Sequence, residues 1–256
     1  MTYILSLLRT SWYIKIAQIY YATQLHEENL SSSIVSYSNA LIPIPNLSEQ
    51  KTYQINLNLP EEILFGNLRK SNRSQIKQAA AKSFTHIIQT DPTNQDLLLF
   101  QKFYNHFAKN KHTHRCNAFH LKTLQLLRDQ HALVLTKILG EKEETLCYRI
   151  YLTDRIRALT LYSASHYRRN NAPDIKRLYS LASRYLLWKN ILWFKKNGHA
   201  IYDLGSLTTD ENIRQFKMGF GGEIVKAYSG YVPKNRMGKF ILWIRKVKMN
   251  SRWKHQ

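Results

Sequence analysis

Acidic residues are scarce in this chain. Seventeen Asp and Glu stand against 38 Lys and Arg over 256 residues, a formal net charge of +21, with a pI near 10.0. A field of that sign captures polyanions and speeds their encounter. It makes tRNA, the phosphates of coenzyme A, nucleotide-sugars and anionic lipid all candidate partners, and charge alone does not choose among them. Cysteine is as rare: Cys116 and Cys147 are the only two. That excludes a disulfide framework and fits a reducing compartment. No apolar run approaches the roughly 20 residues needed to cross a bilayer. The first 22 residues are broken by Arg9 and Lys15 and lack the core and cleavage site of a secretory signal. The expected location is cytoplasmic, with peripheral contact at a membrane as an option. No paired carboxylates suggest glycoside hydrolysis, and neither a P-loop nor a nucleophile-elbow serine motif occurs.

Aromatic and aliphatic residues are plentiful enough to bury a sizeable core, at 44% hydrophobic and 12% aromatic. Tyr13 to Tyr21 reads as either a strand or a buried helix, and Ser31 to Pro45 as loop with short extended pieces. The alternation of Tyr53, Ile55 and Leu57 predicts a strand ending at Pro60. A helix is expected over 61–82, with Glu61 and Glu62 in its first turn and a basic run after them. A strand follows at Thr85 to Gln89. A helix then opens at Asp91-Pro92 and runs to about Lys109, and another is capped by Asn117.

The pattern next changes to three strands, Ala132 to Ile138, Leu146 to Leu152 and Ala158 to Ser163, read as an antiparallel meander. The longest helix is expected at about Asp174 to Asn197, burying Leu178, Leu181, Tyr185, Trp188 and Leu192. A strand at Ala200 to Leu204, a helix at Asp210 to Met218 and a strand at Glu223 to Tyr231 complete the order. That order predicts an α/β (α+β) domain with a mixed, mostly antiparallel central sheet flanked by helices. The expected organisation is an N-terminal segment at 1–60, the main domain at 61–232 and a basic tail at 233–256. From Lys226 to Lys254 the chain holds nine Lys or Arg and no acidic residue, with Phe240, Trp243, Ile244 and Val247 on a helical stripe. Such a segment suits either an anionic lipid surface or packing onto the domain.

Several residues carry chemistry. Gly219, Gly221 and Gly222 permit close backbone approach and can free N–H groups toward an anion or a carbonyl oxygen. Helix caps explain the same glycines. The segment Lys111-His112-Thr113-His114-Arg115-Cys116, with His120, invites a metal reading, but its surroundings are positively charged, histidines at i and i+2 do not share a helix face, and no metal is expected.

Tyr202-Asp203-Leu204-Gly205, followed by Ile213, Phe216-Lys217 and Phe220-Gly221-Gly222, resembles the C-terminal signature of the Fem-type peptidoglycan aminoacyltransferases and of related acetyltransferases with a GNAT fold. Ser206 stands where the family has a second glycine. Arg73 to Ala79 is similar to a further helix motif of the family, and the resemblance spans roughly residues 61–232. It implies a GNAT-like fold and a transferase.

It also implies that Phe216 packs against the donor and that Lys217 stabilises phosphate charge or a developing oxyanion. Arg177, Ser180 and Ala182 fall where coenzyme-A-dependent members carry a pyrophosphate turn, with Ser180 replacing a glycine. With Gly221 and Gly222 they form the expected donor site. Asp203 is a candidate to orient the amine or hold a neighbouring lysine. His166 and Arg168, on the loop after the meander, and Arg73 are candidate acceptor or phosphate contacts.

The leading expectation is an N-acyltransferase using acyl-coenzyme A as co-substrate and a small-molecule or peptide amine as acceptor. Aminoacyl-tRNA is the alternative donor, for a cell-wall precursor or small amine. A third reading, from another class, is a non-catalytic nucleic-acid or membrane-surface module.

Overall fold

The computed structural model describes residues 5–11, 14–24, 32–166 and 172–253. Among these lie ten strands and seven helices. The chain divides into two compact units, one comprising Met1–Thr52 with Val225–Gln256, the other Tyr53–Ile224.

In the first unit, β1 (Leu5–Ser11) and β2 (Ile14–Tyr20) pair antiparallel, and β2 runs parallel to β3 (Ile34–Ala40). β10 (Glu223–Pro233) lies antiparallel to β3, and α7 (Arg236–Trp253) follows it. Within the ambiguous Tyr13–Tyr21 segment, Ile14–Tyr20 is thus a strand. The extended piece within Ser31–Pro45 is β3, whose Val35 and Tyr37 pack with Ala17 and Ile19 of β2. Its interleaved serines, Ser36 and Ser38, hid the alternation, because Ser36 is itself buried and Ser38 half-buried.

The second unit carries the sheet order β9-β8-β7-β6-β5. Its strands are β5 (Thr85–Gln89), β6 (Leu133–Leu139), β7 (Thr145–Thr153), β8 (Arg157–Ser165) and β9 (Ile201–Ser206). All these pairs are antiparallel except β8–β9. β4 (Leu47–Asn56) ends in this unit, where Leu57 N donates to the Ala200 carbonyl.

Adjacent β7 residues face opposite ways. Cys147 packs with Leu186 of α5 (Pro173–Lys196), whereas Tyr148 meets Phe100 and Phe103 of α3 (Asn94–Lys111). Helices therefore cover both faces of a mixed, mostly antiparallel sheet, as the order of elements predicted. α4 (Ala118–Asp129) is capped by Asn117, as expected, and His120 completes its capping box.

The helix expected over 61–82 is two helices, α1 (Glu61–Gly66) and α2 (Lys70–Ala80). The break is held by Arg73, whose Nη1 donates to the carbonyls of Gly66 and Leu68. α5 buries Leu181, Ala182, Leu186, Leu187, Trp188, Ile191 and Phe194, and Tyr185 and Leu192 are only partly buried. The core is Tyr53, Ile55, Trp188, Phe194, Tyr202 and Phe220 with their neighbours. Fully burying a side chain of this kind contributes about 1.5–3 kcal/mol.

Candidate functional site

The site is assembled where β9 hands over to α6 (Glu211–Met218). Asp203 is fully buried. Its Oδ1 accepts from Gly205 N over 2.7 Å and its Oδ2 from Gln54 Nε2 over 3.0 Å. Gly205 sits at φ +74°, where a side chain would be strained, so the strand can turn sharply after Leu204. The carbonyls exposed by that turn meet a lysine. Lys217 Nζ donates to Ser206 O over 2.7 Å and to Gly205 O over 3.3 Å. Burial lowers the Lys217 pKa to about 8; the Asp203 charge opposes the shift and Arg149 adds to it.

Phe216 points the other way, into a cleft of about 540 Å³. The Arg149 and Arg184 guanidinium carbons lie 5.8 and 5.3 Å from its ring centroid, within cation–π range. Arg149 comes from β7, directly across from Ser163, and is only 3% exposed. Among the described residues no carboxylate pairs with it. It instead hydrogen-bonds Tyr151. Ser163 and Ser165 of β8 and Tyr179, Ser180 and Ser183 of α5 line the remainder of the cleft, and Lys111 approaches Asp210 at 3.8 Å on its wall. A desolvated guanidinium without a counterion favours any ligand that brings negative charge or a polarisable carbonyl.

The end of α6 is pinned from below. Asn72 donates to Gly219 O over 2.8 Å, Tyr53 OH donates to Met218 O, and Gly222 N donates to Tyr53 OH over 2.9 Å. Asn72 is held in turn by Arg184 Nε at 2.9 Å. Gly221 has φ +73°, and a Cβ there would come within 2.6 Å of Asn67. A Cβ on Gly222 would lie 2.2 Å from Gln54 O. Both glycines thus permit the backbone to cross β4 and the α1–α2 break, and the Gly222 N–H is turned to Tyr53.

The remaining expected residues are distributed around this site. Ser180 lines the cleft and its Oγ donates to Gln75 Oε1 over 3.2 Å. Arg177 donates to Gln78 Oε1 over 2.9 Å and lines a second cavity of about 450 Å³ with Pro173, Lys176 and Ser180. α5 begins at Pro173, so Arg177, Ser180 and Ala182 lie inside the helical ladder and not at its open end. The first two can offer side chains but no free N–H groups, and Ala182 is buried against Ile138 and Cys147.

Arg73 caps α1, as described, and does not line the cleft. The His166 ring centroid lies 4.0 Å from that of Phe103, with the rings tilted, and 5.0 Å from that of His106, edge-on. Arg168 lies outside the described residues. Both cysteines are buried, with thiols pushed up to about 11 for Cys116 and about 12 for Cys147 by desolvation, so neither supplies a thiolate at neutral pH.

Sequence reasoning missed Arg149, Arg184 and the polar chain beneath them. Tyr151 OH meets Tyr202 OH at 2.6 Å, and Asn190 Nδ2 donates to Tyr151 OH and to Thr136 Oγ1 while its Oδ1 contacts His86 Nε2 at 2.9 Å. The available signal was a lone charged residue inside the otherwise uncharged strand Leu146–Leu152.

No family model matches the chain, and no curated protein matches it. Solved structures do. FemX is similar over 88% of this chain and 83% of its own, with TM-score 0.63 at 9% identity. L-PGS from Bacillus licheniformis is similar over 91% and 82%, with TM-score 0.55 at 10% identity. The C-terminal domain assigned to a lysylphosphatidylglycerol synthetase of Agrobacterium fabrum gives TM-score 0.55 at 10% identity, over 96% and 85%. The chain therefore shares its fold with FemX and with these two further structures.

Proposed function

We propose that this chain is an N-acyltransferase that moves an acyl group from acyl-coenzyme A to an amine. The observation that carries the reading is the position of Ser180, which lines both the arginine cleft and the basic cavity at the first turns of α5. A donor with phosphates beside Lys176 and Arg177, near the positive end of a 24-residue helix, can extend its acyl end past Ser180 toward Arg149, Arg184 and Phe216.

The amine nitrogen attacks the thioester carbonyl, the C–N bond forms, the C–S bond breaks, and the amine proton leaves with the thiolate as free thiol. Cations beside the cleft stabilise the tetrahedral oxyanion, an effect of about 2.7–4 kcal/mol for one well-placed donor. In this reading Arg149 and Arg184 are the charges lining the cleft, and Lys217 acts from the strand end beside it. With a pKa of about 8 it stays mostly protonated at neutral pH yet exchanges its proton readily. Asp203 acts as a positioning residue, because its carboxylate holds the Gly205 turn whose carbonyls receive Lys217. A cytoplasmic setting, where coenzyme A and charged tRNA are both present, completes the proposal.

A second reading takes aminoacyl-tRNA as donor. Two things favour it: the net charge of +21 and the fold shared with proteins named for lysylphosphatidylglycerol synthesis, an aminoacyl transfer. Mass spectrometry of ligands retained by the purified protein separates the two. Retained coenzyme A supports the first reading, retained tRNA replaces it with the second, and neither bound even on titration contradicts both.

A further inference from the structure

The C-terminal helix presents a face that the transfer chemistry does not use. α7 is anchored at its start. Lys234 N donates to Ser33 O over 2.9 Å, Asn235 Oδ1 accepts from Gly238 N over 2.8 Å, and a Cβ on Gly238 would lie 2.1 Å from Ser33 O. That approach fixes which side of the helix faces β3. At about 100° per residue, Phe240, Trp243 and Val247 then fall on the opposite side, with Met237 beside them.

All four are open to solvent: Met237 at 46%, Phe240 at 59%, Trp243 at 61% and Val247 at 49%. Phe240 and Trp243 stack with ring centroids 6.0 Å apart. Four exposed apolar side chains in one stripe are unusual on a soluble surface, where exposed apolar residues are normally scattered.

The charge around the stripe is of one sign. Arg236, Lys239, Arg245 and Lys246 belong to the helix, and from Lys226 to Lys254 the sequence has no acidic residue. The Arg245 guanidinium, on the same side of α7 as Gly238, is held 4.0 Å from the Tyr231 ring centroid and helps to fix that side against the protein. An apolar strip with Trp and Phe at its centre and basic residues around it matches the headgroup boundary of an anionic bilayer, where rings enter the acyl edge and Lys and Arg meet phosphate. A nucleic acid would use the cations and leave the apolar stripe in water. No helix of the described residues is long and apolar enough to cross a membrane, so the contact is one of lying on the surface.

We propose that α7 docks the protein on anionic lipid through Met237, Phe240, Trp243 and Val247, with Lys239 and Lys246 contacting the headgroups. This proposal is independent of the acyl-transfer reading. The test is sedimentation of the full chain with vesicles of phosphatidylglycerol mixed into phosphatidylcholine, against phosphatidylcholine alone.

The expected result is binding to the anionic vesicles only, weakening as salt rises. Phe240→Ser with Trp243→Ser should reduce it by about tenfold or more, and each of Lys239→Glu and Lys246→Glu by about fivefold. The substituted side chains are exposed, so thermal unfolding should be unchanged. Should a variant misfold, quenching of wild-type tryptophan fluorescence by brominated phosphatidylglycerol gives a second readout, and its absence overturns the proposal.

Binding that survives the Phe240/Trp243 double variant overturns it. So does the absence of vesicle binding. Conversion of a wild-type dimer to a monomer by the double variant, seen on size exclusion without vesicle binding, would assign the face to a second copy of the chain instead. RNA binding lost in the same variants, with vesicles unbound, would overturn it in favour of nucleic acid.

Discussion

Lys217 Nζ donates to the carbonyl of Ser206 over 2.7 Å, so a charge on α6 is tied to the end of β9. The turn supplying that carbonyl is itself closed by Asp203. The result is a desolvated lysine fixed at the strand end, beside a cleft that holds two arginines.

The lowered pKa of Lys217 has a signed consequence for stability. Its folded pKa, about 8, lies below the ordinary lysine value of 10.5. Between these values the unfolded chain binds the proton more tightly, so the Lys217 contribution to stability rises with pH across that window. Lys217→Met removes the buried charge. It should flatten the rise in denaturation midpoint between pH 8 and 10.5 without lowering stability at pH 7. Urea melts across pH for both proteins check this; an unchanged slope would mean that the lysine is not desolvated.

Gly222 has no room for a side chain. Gly222→Ala places a methyl 2.2 Å from the backbone oxygen of Gln54, an atom that cannot rotate away. Overpacking of this kind costs about 1–3 kcal/mol. Equilibrium denaturation should show that loss. Gly66→Ala, where a Cβ meets nothing within 4 Å, should stay within about 0.5 kcal/mol of wild type.

Arg149 separates function from folding. Because it is buried and no carboxylate among the described residues pairs with it, Arg149→Met removes a desolvated charge while keeping much of the volume, and stability should hold or rise. Donor binding should weaken at least about tenfold, since a charge-assisted contact contributes roughly 1.5–3 kcal/mol. Calorimetric titration with coenzyme A and a thermal melt measure the two sides. Unchanged binding would remove Arg149 from the site.

Tyr151 ties the core to the cleft floor. Tyr151→Phe leaves Asn190 Nδ2 and Tyr202 OH each short of a partner in a dry interior. The expected destabilisation is about 1–3 kcal/mol, read by urea melts.

Much of this organisation was legible from the residues. The strand meander from Ala132 to Ser163 and the helix–strand–helix–strand order after it rest on local pattern and are formed, whereas the link between the Tyr202–Gly205 strand end and Phe216-Lys217 came from the family resemblance. What escaped depended on tertiary partners. The break at Gly66–Arg69 is held by Arg73 reaching back, which period alone does not reveal. β3 was hidden because Ser36 is buried and Ser38 half-buried. α5 starts at Pro173, one residue from the expected Asp174, so Arg177 to Ala182 lie inside the helical ladder and the pyrophosphate turn implied there by resemblance is not at its open end. Arg149 and Arg184 lie 35 positions apart on a strand and a helix, and only folding brings both to Phe216.

The central claim is that Lys217 and the arginine cleft beside it carry an acyl transfer. The most direct measurement is single-turnover release of free thiol from an acyl-coenzyme A in the presence of an amine, comparing wild type with Lys217→Ala at matched occupancy of the donor site. The rate should fall well over tenfold while coenzyme A affinity and thermal stability stay near wild type. A Lys217→Ala rate equal to wild type would contradict the claim.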